Sequence, residues 1–255
     1  MLSVNNFRVI LGTYLAFHCL DLLSHAEELF GSKMPYDPSL GPNILPNLFE
    51  FTSVSIALIG MTALSVLMAC NVHPQLMSLF LWYGWASMLN RNPLISNPGI
   101  PYVGWLLLVN CLMPNNHKIP KSIYWAAWFL MAYGYTISGI HKLYSPSWID
   151  GTALYHVMNS PLARDNFIRD FMVSLPMDFL KFMTWGALAL EVLFLPFGCF
   201  IHTRKWFWIA HLFMHTGIIA LINFTDLTIG VFMIHIFTYD PNWFACTKKE
   251  KYKSC

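Results

Sequence analysis

Residues 7–30 read FRVILGTYLAFHCLDLLSHAEELF, and the length and content of this run decide the fold class. A helix needs roughly 20 apolar residues to cross a bilayer. The run is longer than the roughly 7–15 apolar residues of a secretory signal. It contains Asp21, His25, Glu27 and Glu28, and no small-residue cleavage site follows it, so it is expected to stay as a transmembrane helix. At about 100° per residue, His18, Asp21, His25 and Glu28 fall within some 80° of the helix surface. Leu11, Leu15, Leu22 and Leu29 make much of the remaining face apolar, so the polar stripe is expected to point into a bundle.

The rest of the chain repeats this pattern. Of its 255 residues, 56% are apolar and 11% charged, with mean hydropathy +0.49. A soluble domain carries about a quarter charged residues. Breaks at Pro, Gly, Asn and charge clusters divide the chain into spans at 7–29, 50–70, 75–90, 101–114, 121–143, 178–200, 205–222 and 225–239. The third and fourth are short and read as a tilted or re-entrant hairpin around Asn90-Arg91-Asn92-Pro93. The predicted architecture is an all-α polytopic membrane bundle of about eight transmembrane helices, forming a single domain over 1–255. The lipid bilayer is its first partner. No basic cluster with interleaved aromatics points to nucleic acid.

Basic residues orient the bundle. One side receives Arg8, Lys118, Lys121, Arg204, Lys205, Lys248, Lys249, Lys251 and Lys253, against Asp240 and Glu250. The other receives Lys33, Arg91, Lys142, Arg164, Arg169 and Lys181 together with most of the acids, among them Asp37 and Asp150. Both termini are therefore expected to be cytoplasmic, with the 144–177 loop outside or luminal. That places the protein in a bacterial inner membrane, or in the endoplasmic reticulum of a eukaryote. Lysines third and fifth from the end read first as a positive cytoplasmic tail, and in a eukaryote resemble a dilysine retrieval signal. Cys70, Cys111, Cys199, Cys246 and Cys255 fall at or near the cytoplasmic side, so no disulfide framework is expected. Asn223-Phe224-Thr225 fits the glycosylation pattern but lies in a tight turn beside the membrane.

Ionisable groups at membrane depth cost several kcal/mol unless they face a cavity or a partner. Besides the first helix, candidates are His211 and His215 (i,i+4 on one face), His235, Glu191, and the Ser138-His141-Lys142 end of the fifth span. Each has a plainer reading: a buried histidine held by hydrogen bonds, a Glu191 paired with a buried cation, a Lys142 snorkelling to the interface. His18, Asp21, His25, His211 and His215 form a candidate metal set if the two histidine stripes converge.

Several motifs resemble one family in order. They are Asn90-Arg91-Asn92-Pro93, then Asn97 and Tyr102-Val103-Gly104; Tyr135 through Gly139-Ile140-His141-Lys142-Leu143 with Ser147-Trp148-Ile149-Asp150-Gly151; Glu191 before Pro196; His215; and Asp240-Pro241-Asn242-Trp243. The chain resembles, over roughly 5–244, the horizontally transferred transmembrane domain family, which includes the membrane part of the vitamin-K-dependent gamma-glutamyl carboxylase. The resemblance implies a carboxylase-like lyase with Lys142 as the base on a reduced, vitamin-K-like quinone. His215 and His141 would be hydrogen-bonding or proton-transfer partners, and Glu191 and Asp21 would orient histidines. Asn90, Arg91, Tyr135, Trp148 and Glu191 would lie on the substrate side. His141 stands where the carboxylase has a lysine and Thr216 where it has an asparagine, and the chain stops soon after its last span. Short family members resemble accessory factors that mature exported peptides. An exported peptide or a lipid-soluble small molecule is therefore the expected partner; intramembrane metal binding or transport by the histidine stripes, or a non-catalytic accessory role in maturing an exported peptide, are the alternatives.

Overall fold

Serine and asparagine oxygens, and prolines at first turns, set where the helices begin. The computed structural model describes residues 3–31, 46–115, 118–223 and 225–244, and their side chains except those of 225 and 226. Expectations resting on Lys33, Asp37, Cys246, Glu250, Cys255, the 248–253 lysines and the middle of the Asn223-Phe224-Thr225 triplet lie outside the described residues.

The chain is all-α. Its helices are α1 Val4–Leu22, α2 Ala26–Phe30, α3 Val54–Ala69, α4 Pro74–Arg91, α5 Gly99–Leu112, α6 Lys121–Lys142, α7 Pro146–Ile149, α8 Ala153–Met158, α9 Phe167–Val173, α10 Met177–Val192, α11 Phe194–Gly198, α12 Arg204–Leu221 and α13 Thr225–Phe237. Among the described residues there is no strand, only two isolated bridges. Ser3 accepts from the Asn6 N–H at 3.2 Å to start α1, and Ser53 accepts from Ile56 at 3.4 Å to start α3. Pro74 sits in the first turn of α4, where a missing N–H costs nothing. Each apolar segment read as a span coincides with helix. The 144–177 loop differs from expectation, since it folds into α7, α8 and α9 around a small core of Met158, Met172, Leu180 and Leu221.

The packing runs α1 on α3, α3 on α4, α4 on α5, α5 on α13, and α13 on α12 and α6; α6 also packs on α10 and α11. Close approach rests on small residues. A Cβ at Gly12 would lie 2.6 Å from the Ser65 carbonyl oxygen, so α1 meets α3 backbone to backbone there. Arg8, counted in the sequence as an end charge, is fully buried. It donates to Asn110 Oδ1 (2.8 Å), Asn115 Oδ1 (2.6 Å) and the Met113 carbonyl (2.7 Å).

The first polar stripe does not point inward. Leu11 and Leu15 are fully buried, whereas Asp21, His25 and Glu28 are exposed. Two causes are visible. Gly12 selects the face that meets α3, and a 3-10 turn at Leu23–His25 resets the angular register that the four-residue stripe assumed.

The stretch Val4–Phe30 is the one helix long and apolar enough to cross a membrane by length and composition, among the described residues. Val54–Ala69, Gly99–Leu112 and Leu227–Phe237 are shorter apolar helices. Outward faces carry large apolar side chains: Ile56 is 64% exposed, Phe129 57%, Phe182 71% and Phe213 80%.

Candidate functional site

The site is built where α6 and α10 nearly touch. A Cβ on Gly139 would stand 2.8 Å from the Val192 backbone nitrogen and 3.0 Å from the Glu191 Cβ, so only glycine permits this crossing. Thr136, one turn earlier on α6, donates its hydroxyl to the Glu191 carbonyl at 3.2 Å and accepts from the Leu195 N–H at 3.0 Å. It thereby stitches the break between α10 and α11. The crossing sets Lys142, in the last turn of α6, against Glu191 at the end of α10. Lys142 Nζ donates to both Glu191 carboxylate oxygens and to Ser138 Oγ at 3.3 Å. Its ammonium lies 4.8 Å from the Trp148 ring centroid. The carboxylate side chain is 8% exposed and the lysine 25%. Lys142 is thus held in a pair rather than snorkelling, and Glu191 serves the lysine and not a histidine.

Beside the pair opens a cavity of about 600 Å³. Its lining combines Pro98, α5 (Pro101, Tyr102), α6 from Leu130 to Lys142, and Trp148. His141, exposed, lines the same cavity. The turn after Trp148 requires glycine: Gly151 has φ +83°, and a Cβ there would stand 2.9 Å from Lys181 Cβ. Asp150 accepts from the Thr152 hydroxyl (2.6 Å) and N–H (2.8 Å), which holds its carboxyl below the usual carboxylate value. A depressed carboxyl keeps its turn contacts at neutral pH and loses them only as the pH falls through that lowered value.

Behind the pair, three histidines surround Tyr135. Its ring centroid lies 4.2 Å from His211, 5.6 Å from His215 and 5.9 Å from His235. His211 Nδ1 faces the Phe207 carbonyl at 2.9 Å, and His235 Nδ1 faces the Val231 carbonyl at 3.1 Å. A carbonyl only accepts, so in each neutral ring Nδ1 carries the proton and Nε2 presents a lone pair. The Tyr135 hydroxyl, His211 Nε2, His235 Nε2 and both His215 nitrogens are buried without a hydrogen-bond partner in the structure. Lys142 lies within electrostatic reach of His211 and His215, and Glu191 of Tyr102 and Tyr135. One interior therefore collects Lys142, Glu191, Tyr135, His211, His215 and His235.

Other expected site residues fall elsewhere. His18 packs on Trp85 (5.2 Å between centroids) and, with Asp21, lines a separate hollow of about 140 Å³. The two histidine stripes do not converge: His18 lies against Trp85 of α4, while His211 and His215 lie against Tyr135 of α6. Among the described residues no three His, Cys, Asp or Glu side chains are placed to share a metal ion. Arg91 donates to the Phe30 and Gly31 carbonyls (3.0 and 2.8 Å), and Asn90 Oδ1 accepts from Asn47 (3.1 Å). Arg91 closes the end of α2 and Asn90 holds Asn47, ahead of α3; neither lines the cavity. Tyr135 is interior to the cavity wall, not on it. No sequence motif marks the environment of Arg8; for Arg204 the available signal is the i,i+3 pair Trp125 and Trp128.

No protein family, curated protein or solved structure matches this chain.

Proposed function

We propose that this chain is a multi-pass membrane enzyme whose cavity beside Lys142 opens at the outer or luminal end of an eight-span bundle. Outward faces of phenylalanine and isoleucine combined with interior arginine, glutamate and histidine invert the soluble pattern, in which large exposed apolar patches are rare. Aromatics gather at both ends, with Trp125, Trp206 and Trp243 at one and Tyr144, Trp148 and Trp185 at the other, as bilayer interfaces favour. Both termini then face the cytoplasm. Exposed Cys70 and Cys199 should react with a membrane-impermeant maleimide only from the cytoplasmic side; labelling from the opposite side would overturn the topology.

The single observation that carries the catalytic reading is the half-buried Lys142–Glu191 pair at the rim of a cavity with apolar walls. It agrees with the resemblance to the horizontally transferred transmembrane domain family. The lining fits a reduced quinone: Pro98, Pro101, Leu130, Tyr133 and Ile137 offer apolar walls, and Ser138, His141 and Lys142 offer polar atoms at one end. Its volume lies in the range of roughly 300–1,000 Å³ typical of small-molecule sites. Such a group, once deprotonated, supplies reactivity toward oxygen. Lys142 Nζ acts as the base after passing its own proton to Glu191, so the pair works as one unit. His141 orients the polar end, and His215 supplies hydrogen bonding from behind.

The test is Lys142→Arg, which keeps the charge and the pair while removing the base, because a guanidinium does not deprotonate. Protein in nanodiscs would be given a reduced naphthoquinone and oxygen, and quinone consumption followed. Loss of base catalysis predicts a fall of about 10²-fold or more. Unchanged turnover in the folded variant would exclude Lys142 as the base.

A further inference from the structure

Two arginines are buried in this protein, and they are treated differently. Arg8 meets three oxygens. Arg204, at the start of α12, is 9% exposed and belongs to none of the ion pairs among the described residues. Its Nε is buried with no hydrogen-bond partner. Its guanidinium is instead surrounded by indoles, with its central carbon 4.7 Å from the Trp125 ring centroid, 5.7 Å from Trp128 and 5.9 Å from Trp243. Indole faces attract a cation but leave its in-plane N–H donors unsatisfied. A buried charge without hydrogen bonds is costly, and such groups are ordinarily paired.

The surroundings favour an anion. The Tyr124 hydroxyl, within electrostatic reach of Arg204, is also buried and unpartnered. The first turns of α6 and α12, which carry Tyr124 and Arg204, present the positive ends of two helix dipoles. Lys205 stands next to Arg204 and donates to the Trp243 carbonyl at 2.9 Å. Asp240, the carboxylate within electrostatic reach of Tyr124 among the described residues, accepts instead from the Asn242 N–H and side-chain amide (3.0 and 2.8 Å).

We propose that Arg204 and the Tyr124 hydroxyl form an oxyanion site for a phosphate group, carried by an anionic lipid headgroup or free in solution. The Trp125 ring, 45% exposed, forms its outer wall. Guanidinium and phosphate match in a bidentate fork, and the indoles hold the guanidinium plane so that little rotamer freedom is lost on binding. The site is separate from the Lys142 cavity, and its failure would leave the catalytic reading standing.

The experiment uses the full chain in neutral detergent, titrated with phosphatidylglycerol, phosphatidylcholine or inorganic phosphate. Native mass spectrometry counts bound lipid, and thermal unfolding follows all three additions. Phosphatidylglycerol binding that weakens about tenfold or more in Arg204→Met, and less in Tyr124→Phe, supports a lipid headgroup. A stabilisation by inorganic phosphate alone that Tyr124→Phe diminishes supports the free anion. If Arg204→Met does not fold, Tyr124→Phe carries the test, because it removes one hydroxyl and no packing. Equal binding of both lipids with no response to phosphate, or phosphatidylglycerol binding indifferent to the substitutions, overturns the proposal.

Discussion

Lys142→Met is expected to destabilise the folded protein by about 3 kcal/mol, Glu191→Leu by about half of that, and the double variant to lie close to the parent. The asymmetry follows from burial. Removing the lysine leaves a carboxylate with 8% of its side chain exposed and, among the described residues, no other cation paired with it. Removing the glutamate leaves a lysine already 25% exposed, on the last turn of α6, whose four-carbon stem reaches the interface easily. Replacing both by apolar groups removes the desolvation cost together with the attraction, so the losses do not add. Unfolding in mixed micelles with a denaturing detergent measures all three variants. Additive losses would show that the two side chains act independently and would remove the pair as the organiser of the cavity. Lys142→Arg, which keeps the pair, should lose little stability while losing turnover, and this separates the structural role from the chemical one.

The positions of the helices were legible because apolar runs and their Pro, Gly and Asn breaks are local properties. Which face of each helix is buried was not. For α1 the polar stripe gave the wrong answer: a bundle with apolar groups both inside and outside offers no hydrophobic gradient to orient it. Gly12, with Ser65 facing it, carried the information instead. The Gly139–Lys142 stretch was legible as a site because its glycine and lysine serve one crossing. Its partner, Glu191, was visible only as a buried carboxylate, and nothing within 49 residues of sequence separation named Lys142 as its cation. Asn90 and Arg91 looked functional because polar side chains stand out against apolar segments. Arg91 meets the backbone carbonyls of residues 30 and 31, and Asn90 meets the Asn47 side-chain amide; neither partner has a sequence signature. His235 was noted as one more buried histidine; its place beside Tyr135 depends on how α13 crosses α5 and α6.

That crossing gives the last test, in which one substitution is expected to change sign with position. At Gly230 an added Cβ would lie 2.8 Å from Gly99 Cα and 3.0 Å from its carbonyl carbon and oxygen. All three are backbone atoms of α5, so no side chain can rotate aside and the helices must separate. Gly230→Ala is expected to cost about 2 kcal/mol, as overpacking of a close contact does. Gly217→Ala and Gly186→Ala place the same methyl where nothing stands within 4 Å, in the bodies of α12 and α10. There the gain in helix propensity dominates, and stability should rise by up to about 1 kcal/mol. Because Gly230 and His235 share α13, separating α13 from α5 also moves His235 from Tyr135. Turnover should therefore fall with Gly230→Ala and hold with Gly217→Ala. Similar effects at both positions would mean that α13 does not meet α5 through its glycine, and the shared interior behind Lys142 would lose the contact that closes it.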